Sequence, residues 1–189
     1  MARPREFNQE AVLDRITDLF WRKGYAGTSL DEIDQVSGLK RGSLYNAFGD
    51  KRQLYLAALD YYGQREMAAA DAFLKAKGPA ARAVPALFRA AISAASGEVG
   101  RRGCLLCNAS IELAPQDHEV EQRVVMHLER LRTAFTDCLK GSTAPRLVSQ
   151  HADHLTAAYM GLLVLIKAGC PQRQLQNVAR DAAKLVAPE

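Results

Sequence analysis

The stretch Thr28–Lys51, TSLDEIDQVSGLKRGSLYNAFGDK, restricts the fold of this 189-residue chain more than any other segment. It reads as two short helices joined by a tight turn. Ser29 and Glu32 form a capping box: the Ser29 hydroxyl can accept from the amide three residues on, and Glu32 can reach back to the amide of Ser29. Leu30, Ile33 and Val36 then recur at helical spacing and give one apolar face. Ser37 and Gly38 end this helix, because glycine takes the left-handed conformation of a helix stop at little cost. Leu39, apolar within the turn, is placed to plug the angle between the two helices. The second helix is expected from about Lys40 or Arg41 to Phe48.

Only part of that second helix can face a core. At about 100° per residue, Leu44 and Phe48 share one side. Gly42, Ser43 and Asn46 point the opposite way, with Tyr45 and Ala47 on the flanks. A glycine inside a helix costs about 1 kcal/mol against alanine, so Gly42 suggests close approach of another molecule. Lys40, Arg41, Lys51 and Arg52 surround the helix and suit phosphate contact. Taken alone, the pair has two readings: a helical hairpin with an ordinary solvated face, or a unit that places a helix in the major groove of DNA.

The flanking segments narrow this choice. A longer amphipathic helix is expected over Gln9–Lys23, with Val12, Leu13, Ile16, Leu19 and Phe20 on one face, ending at Gly24. Asp50 caps a fourth helix that starts KRQLYLAALDYY. From about Arg5 to Tyr61 the chain resembles the TetR family of one-component repressors. The motifs that carry the likeness are LFWRKGYAGTSLDEI and SGLKRGSLYNAFGDKRQLY. The resemblance implies an all-α fold of about nine helices, with a three-helix helix-turn-helix DNA-binding domain over residues 1–50. A larger helical ligand-binding and dimerisation domain would span 51–189. It also implies DNA contacts by Ser43, Tyr45, Asn46 and Lys51, with Tyr45 and Lys51 mainly at phosphates. Thr28, Ser29, Lys40, Arg41 and Gly42 complete the candidate interface. Ala47 departs from the pattern, since the family often has His or an aromatic residue there; Asn46 and the flanks must carry more of the contact.

Composition sets limits on this reading. A chain that is 48% hydrophobic with 7 prolines can hold one small domain and one larger one. A net charge of +4 means that DNA affinity must come from a local patch rather than a basic chain. The arm from Met1 to Arg5 could add Arg3 and Arg5 to that patch, or could be a disordered tail. The N-terminus carries no signal-peptide pattern, and the apolar run Leu155 to Ile166 is shorter than a membrane span. A cytoplasmic location with no membrane partner is expected.

Beyond Lys51 the pattern is helical throughout, without repeats or strand-like runs. A fourth helix should reach Lys77, a fifth should cover about Ala80 to Ser96, and the loop GEVGRRG (97–103) should follow. A sixth is expected from Cys104 to Leu113, and a seventh from the Asp117 cap to Lys140. An eighth should cover about Arg146 to Ala168, and a ninth should end near Val186. Leu155, Tyr159, Leu162, Leu163 and Ile166 on the eighth helix, with Leu175, Val178, Ala182 and Leu185 on the ninth, form broad apolar faces. In the resembled family this pair makes a homodimer interface, and a two-fold protein matches a two-fold operator. Burial in the monomer core is the alternative.

A second candidate site is RRGCLLCN, residues 101–108. Four cysteines in a cytoplasmic chain argue against structural disulfides. Cys104 and Cys107 lie three apart at the start of a helix, where the helix terminus and the adjacent arginines favour a thiolate. Core packing, thiol sensing and metal binding are the three readings. The pattern around Cys104 also resembles a branch of the family in which a cysteine here can sense electrophiles and a lysine, here Lys167, faces it. A metal would need further ligands, for which His151 and His154 are the available complement. No cofactor is implied.

No nucleophile elbow, phosphate loop or paired carboxylates point to an enzyme. The expected function is a DNA-binding transcriptional regulator: a dimeric repressor released from a palindromic double-stranded operator by a small-molecule effector. A redox- or electrophile-sensing repressor using Cys104 with Cys107 or Lys167, and a regulator without an inducer, are the alternatives. Binding-competent recognition helices would sit roughly 34–36 Å apart, one DNA turn. An effector that prefers a wider spacing would shift the population.

Overall fold

The computed structural model describes residues 7–95 and 100–187. Arg3, Arg5 and the first residues of the 97–103 loop lie outside the described residues. Among the described residues nine α-helices follow in order: α1 Gln9–Lys23, α2 Leu30–Ser37, α3 Arg41–Phe48, α4 Lys51–Lys77, α5 Ala80–Ala94, α6 Leu105–Glu112, α7 His118–Leu139, α8 Pro145–Lys167 and α9 Gln172–Lys184. A single 3-10 turn, Gly100–Arg102, precedes α6.

Local chemistry sets the boundaries. The Ser29–Glu32 capping box is complete, and Gly38 closes α2 in the left-handed region at φ 69°. Arg15 of α1 donates to the carbonyls of Val36 and Ser37 at 2.7 Å, satisfying the end of α2 from outside. Asp50 accepts from the Gln53 amide and starts α4. Asp117 accepts from the amides of Glu119 and Val120 and starts α7. Pro145, expected in the preceding loop, is instead the first residue of α8, where its fixed φ suits a helix and its missing N–H leaves nothing unsatisfied.

The N-terminal helices close around Ile16, Phe20, Ile33 and Leu44, all fully buried. Phe20 meets Tyr55 of α4 edge-on at 5.0 Å, so α4 is built into this small core from its first turns. With 27 residues, α4 is about 40 Å long and runs on into the second domain. There it packs against α5 and α7. Gly63 allows the closest approach: a Cβ there would lie 2.3 Å from the ring of His127, which is fully buried on α7. His127 Nε2 lies 3.2 Å from Asp60 of α4.

The apolar faces of α8 and α9 require a correction. Leu155, Leu162, Ile166, Leu175 and Ala182 are buried within the monomer, and Tyr159, Leu163, Val178 and Leu185 pack against the same core. A bundle this size uses these side chains to cover α5 and α7, so they are not a spare face. The outward surface of α8 is a different stripe, with Ala157, Gly161 and Val164 exposed. No helix among the described residues is long and apolar enough to cross a membrane.

Candidate nucleic-acid interface and cavity

The exposed side of α3 follows the helical phase. Leu44 is fully buried and Phe48 half-buried, while Gly42, Ser43, Asn46 and Ala47 are exposed. Nothing within the protein lies within 4 Å of where a Gly42 Cβ would stand. The glycine therefore has no internal packing reason, and its helix cost is left for an external partner to explain.

The residues around α3 divide into free and engaged groups. Lys40 is exposed at the start of the helix. Arg41 is held by Asp34 at 2.6 Å and Asp31 at 2.5 Å, so it must trade these carboxylates for a phosphate. Lys51 stands 4.4 Å above the Tyr25 ring. Ser29 is exposed, yet its hydroxyl and amide are taken by the capping box.

Three expectations change. Thr28 is 1% exposed and its hydroxyl donates to the Gly24 carbonyl at 2.7 Å, so it braces the α1–α2 turn and presents no side chain outward. Tyr45 keeps its hydroxyl buried and without a partner, so in this conformation it faces inward. Burial raises its pKa. Arg52 bonds Asp117 at 2.7 Å and Glu119 at 2.5 Å, which ties α4 to α7 instead of reaching for DNA. The Asp117 carboxyl is held down to about 2, chiefly by that hydrogen bond.

The second-domain site is a cavity of about 280 Å³ between α1, α4, α5, α8 and the turn before α6. It sits near the small end of ligand cavities. Trp21, Tyr62, Glu66, Tyr159, Leu163 and Cys104 are among its walls. Trp21 and Tyr62 meet edge-on at 5.0 Å. Trp21 Nε1 is buried with no internal partner, a donor that an occupant can satisfy.

Cys104 is 2% exposed and is the N-cap of α6, outside the helix proper. Its thiol is pulled down to about 7, first by a hydrogen bond from Cys107 and then, against burial, by the Cys107 and Leu106 amides and Tyr62. Cys107 is pushed up by the same pairing. Its Sγ lies 3.7 Å from Met160 Sδ. Lys167, expected to face Cys104, donates instead to Asn108 Oδ1 at 2.5 Å. With the lysine engaged elsewhere and the sulfur buried, Cys104 reads as a wall of the cavity, not as the lysine-paired thiol of the alternative. Among the described residues no group of three or more potential ligand side chains gathers for a metal; His154 is exposed and His151 half-buried on α8.

The segment carrying Cys104 is tied to the DNA-binding helices at both ends. Before α6, Arg102 pairs with Asp18 of α1 and covers the Trp21 ring at 5.7 Å. At the end of α6, the Glu112 carboxylate accepts from the amides of Tyr25 at 3.1 Å and Ala26 at 2.8 Å. Gly24 makes this possible: its φ is +74°, and a Cβ there would lie 2.8 Å from Glu112 Oε2. Sequence pattern assigns no role to Glu112, Trp21, Tyr62 and Glu66; it places Arg102 beside the cysteines and Tyr159 on the apolar face of α8. Trp21 alone carried a signal, as the chain's single tryptophan.

A short helix pair that presents a bare, glycine-containing face beneath a larger helical domain defines a helix-turn-helix DNA-binding regulator. Residues 12–58 match the bacterial regulatory proteins of the tetR family, and residues 80–186 match the tetracyclin repressor-like C-terminal domain. The chain belongs to the TetR family of transcriptional regulators. It is 33% identical over 135 residues to the uncharacterized HTH-type transcriptional regulator YezE of Bacillus subtilis, covering 71% of this chain and 70% of that one. It is 27% identical over 195 residues to the HTH-type transcriptional repressor ComR of Escherichia coli, covering 97% and 90%. Among solved structures, a CifR cysteine mutant in complex with a 26-base-pair double-strand operator has a TM-score of 0.84 at 24% identity, over 98% and 100% of the two chains. Reduced E. coli NemR has a TM-score of 0.85 at 18% identity, over 95% and 97%. These two likenesses concern the fold.

Proposed function

We propose that this regulator is a dimeric, cytoplasmic repressor that holds a palindromic double-stranded operator and releases it when a small molecule fills the cavity beside Trp21. Residues 1–50 act as the reading unit and residues 51–189 as the sensing and pairing unit. Gly42, Ser43 and Asn46 meet base edges and backbone in the major groove. Lys40, Arg41 and Lys51 meet phosphates, Arg41 by exchanging Asp31 and Asp34 for the DNA. Ser29 contributes through its place at the start of α2, and Tyr45 contributes if its ring turns outward on contact.

One observation carries the reading: the segment 100–112 walls the cavity through Gly100, Gly103 and Cys104 and is bonded to α1 through Arg102 and to the α1–α2 turn through Glu112. An occupant that pushes the Gly103–Cys104 wall acts on Asp18 through Arg102 and on the α1–α2 turn through Glu112. The same occupant touches Trp21 of α1 directly. Its leverage equals its differential affinity for the released and operator-bound forms, and an occupant that binds both equally shifts nothing.

Pairing is assigned to α8 and α9, on α8 through the outward stripe Ala157, Gly161 and Val164, where Ala157 and Gly161 allow close approach of two helices. A charged Gly161→Glu variant should sediment as a monomer and bind a half-site far more weakly than the native chain binds the operator.

The cavity reading is tested by filling it. Ala91→Phe puts a ring into the space and mimics occupancy, so operator affinity measured by fluorescence anisotropy should fall while the melting temperature holds. Native operator affinity in a folded Ala91→Phe protein would remove the cavity from the mechanism.

A further inference from the structure

The walls of the cavity specify more than its size. Three aromatic rings, Trp21, Tyr62 and Tyr159, border it; Tyr62 is buried and Tyr159 half-buried. One carboxylate, Glu66, shares the same space. Burial is the largest cause that raises both tyrosines; Glu66 adds to it, after Cys104 at Tyr62, and Tyr159 is pushed up to about 12. Among the described residues no Lys, Arg or His lines this cavity. The neighbouring cations stand on the far side of Trp21 and Tyr62, where Arg65 and Arg102 line a separate outer cleft with Asp14 and Asp18. There Arg65 bonds Asp14 at 2.7 Å, leaving its distance to Glu66 at 3.7 Å.

Three helix ends meet at the cavity. α5 finishes at Ala94 and α8 at Lys167, and both contribute residues to the cavity through their last turns, Ala94 and Ile166. The C-terminal ends of these two helices carry partial negative charge, and the N-terminus of α6, capped by Cys104 in the same wall, carries the opposite sign. Aromatic faces attract cations through the ring quadrupole, and the attraction grows when water is excluded. A half-exposed carboxylate at the edge of an aromatic wall, with no basic side chain among the described lining residues, favours positive charge. Arg65 reaches Glu66 from outside at 3.7 Å, and an anionic occupant would meet that carboxylate with no basic side chain among the described lining residues.

We infer that the effector is a small organic cation, an amine or quaternary ammonium with an apolar body, held by Trp21, Tyr62 and Tyr159 with Glu66 as counter-charge. This rests on the reading of the cavity as the effector site. The apolar body lies against Leu163 and Ile166, and the cationic head lies between Glu66 and the rings. The pocket selects by charge as well as by shape.

The single tryptophan is a built-in reporter, because Trp21 forms part of the site. Titrate the full-length protein with three probes of one shape: choline, its uncharged isostere 3,3-dimethylbutan-1-ol, and the anion 3,3-dimethylbutanoate. Trp21 fluorescence should saturate with choline at a concentration at least about tenfold below that for the neutral isostere, with no saturation for the anion. Glu66→Gln should erase most of the choline advantage and leave the neutral probe unchanged. Equal binding of choline and the alcohol, unaffected by Glu66→Gln, would overturn the charge class while leaving the cavity as the effector site. Tighter binding of the anion would overturn it equally. If none of the three binds, the cation proposal falls, and the Ala91→Phe operator measurement decides separately whether the cavity takes part.

Discussion

The recognition helix and the cavity wall are built on opposite plans. Along α3 the residues proposed to read bases make no side-chain bonds within the protein: Gly42, Ser43 and Asn46 are exposed, and Leu44 is the fully buried residue of the helix. Along α6 almost every polar group is committed. Cys107 meets Met160 at 3.7 Å, Asn108 accepts from Lys167, and Glu112 holds two amides of the DNA-binding domain. A reading surface must stay uncommitted so that base edges can complete it. A sensing segment must be committed, because a shift there is useful only if it is passed on through existing bonds.

The contrast can be broken by experiment, and the largest effect is expected at the anchor. Leu44→Ala should cost the small domain about 2–5 kcal/mol, since Leu44 is fully buried and leaves a cavity. A chemical-denaturation midpoint close to native would mean that α3 is held by something other than this side chain.

Asn46→Ala tests the reading surface. It should leave the fold intact and reduce discrimination among operator sequences by about 1–3 kcal/mol at one base position. A uniform loss across all sequences would place Asn46 at the backbone.

Glu112→Ala removes an acceptor from two amides, a loss of about 1–3 kcal/mol if those amides stay dry. Its signature is functional: the Ala91→Phe substitution should lower operator affinity less in the Glu112→Ala background. Additive effects of the two changes would show that Glu112 is only structural.

Gly42→Ala separates the two plans most cleanly. Open space surrounds the position, so the helix should gain up to about 1 kcal/mol while operator affinity drops. A variant both more stable and equally tight on DNA would mean that nothing approaches Gly42.

The smallest effect concerns pH. Glu32 is held down to about 2, first by its hydrogen bond with Lys23 and then by Ser29. A depressed carboxylate contributes stability that is fully present above its ordinary value of 4.5 and is lost as pH falls toward 2. A Glu32→Gln variant should therefore melt slightly below the native protein at neutral pH, with the gap closing in acid. An unchanging gap would remove the carboxylate charge from the cap.

Much of the reading domain was legible along the chain. The Ser29–Glu32 box, the Gly38 stop, the Asp50 cap and the phase of Leu44 against Gly42, Ser43 and Asn46 are all set by neighbours within four residues. What escaped is what depends on partners far away in sequence. Thr28 looks available for contact until the turn from Gly24 folds over it. Arg52 looks like a phosphate ligand until α7 brings Asp117 and Glu119 beside it, 65 and 67 positions further on. The apolar residues of α8 and α9 gave the same pattern whether they faced a core or a second subunit. Periodicity reports that a face is apolar and not what covers it.

The sequence by itself determined the helices, their caps and the face of α3 left for DNA, because these follow from spacing and short-range hydrogen bonds. Only the tertiary structure decided that Trp21, Tyr62, Glu66, Cys104 and Tyr159 share one cavity. Only it decided that Arg102 and Glu112 fasten that cavity to the reading domain. Those residues come from helices spread over more than a hundred positions, and no local pattern relates them. Their proximity is a property of packing, in which α4 passes through both domains and brings the rest to its sides.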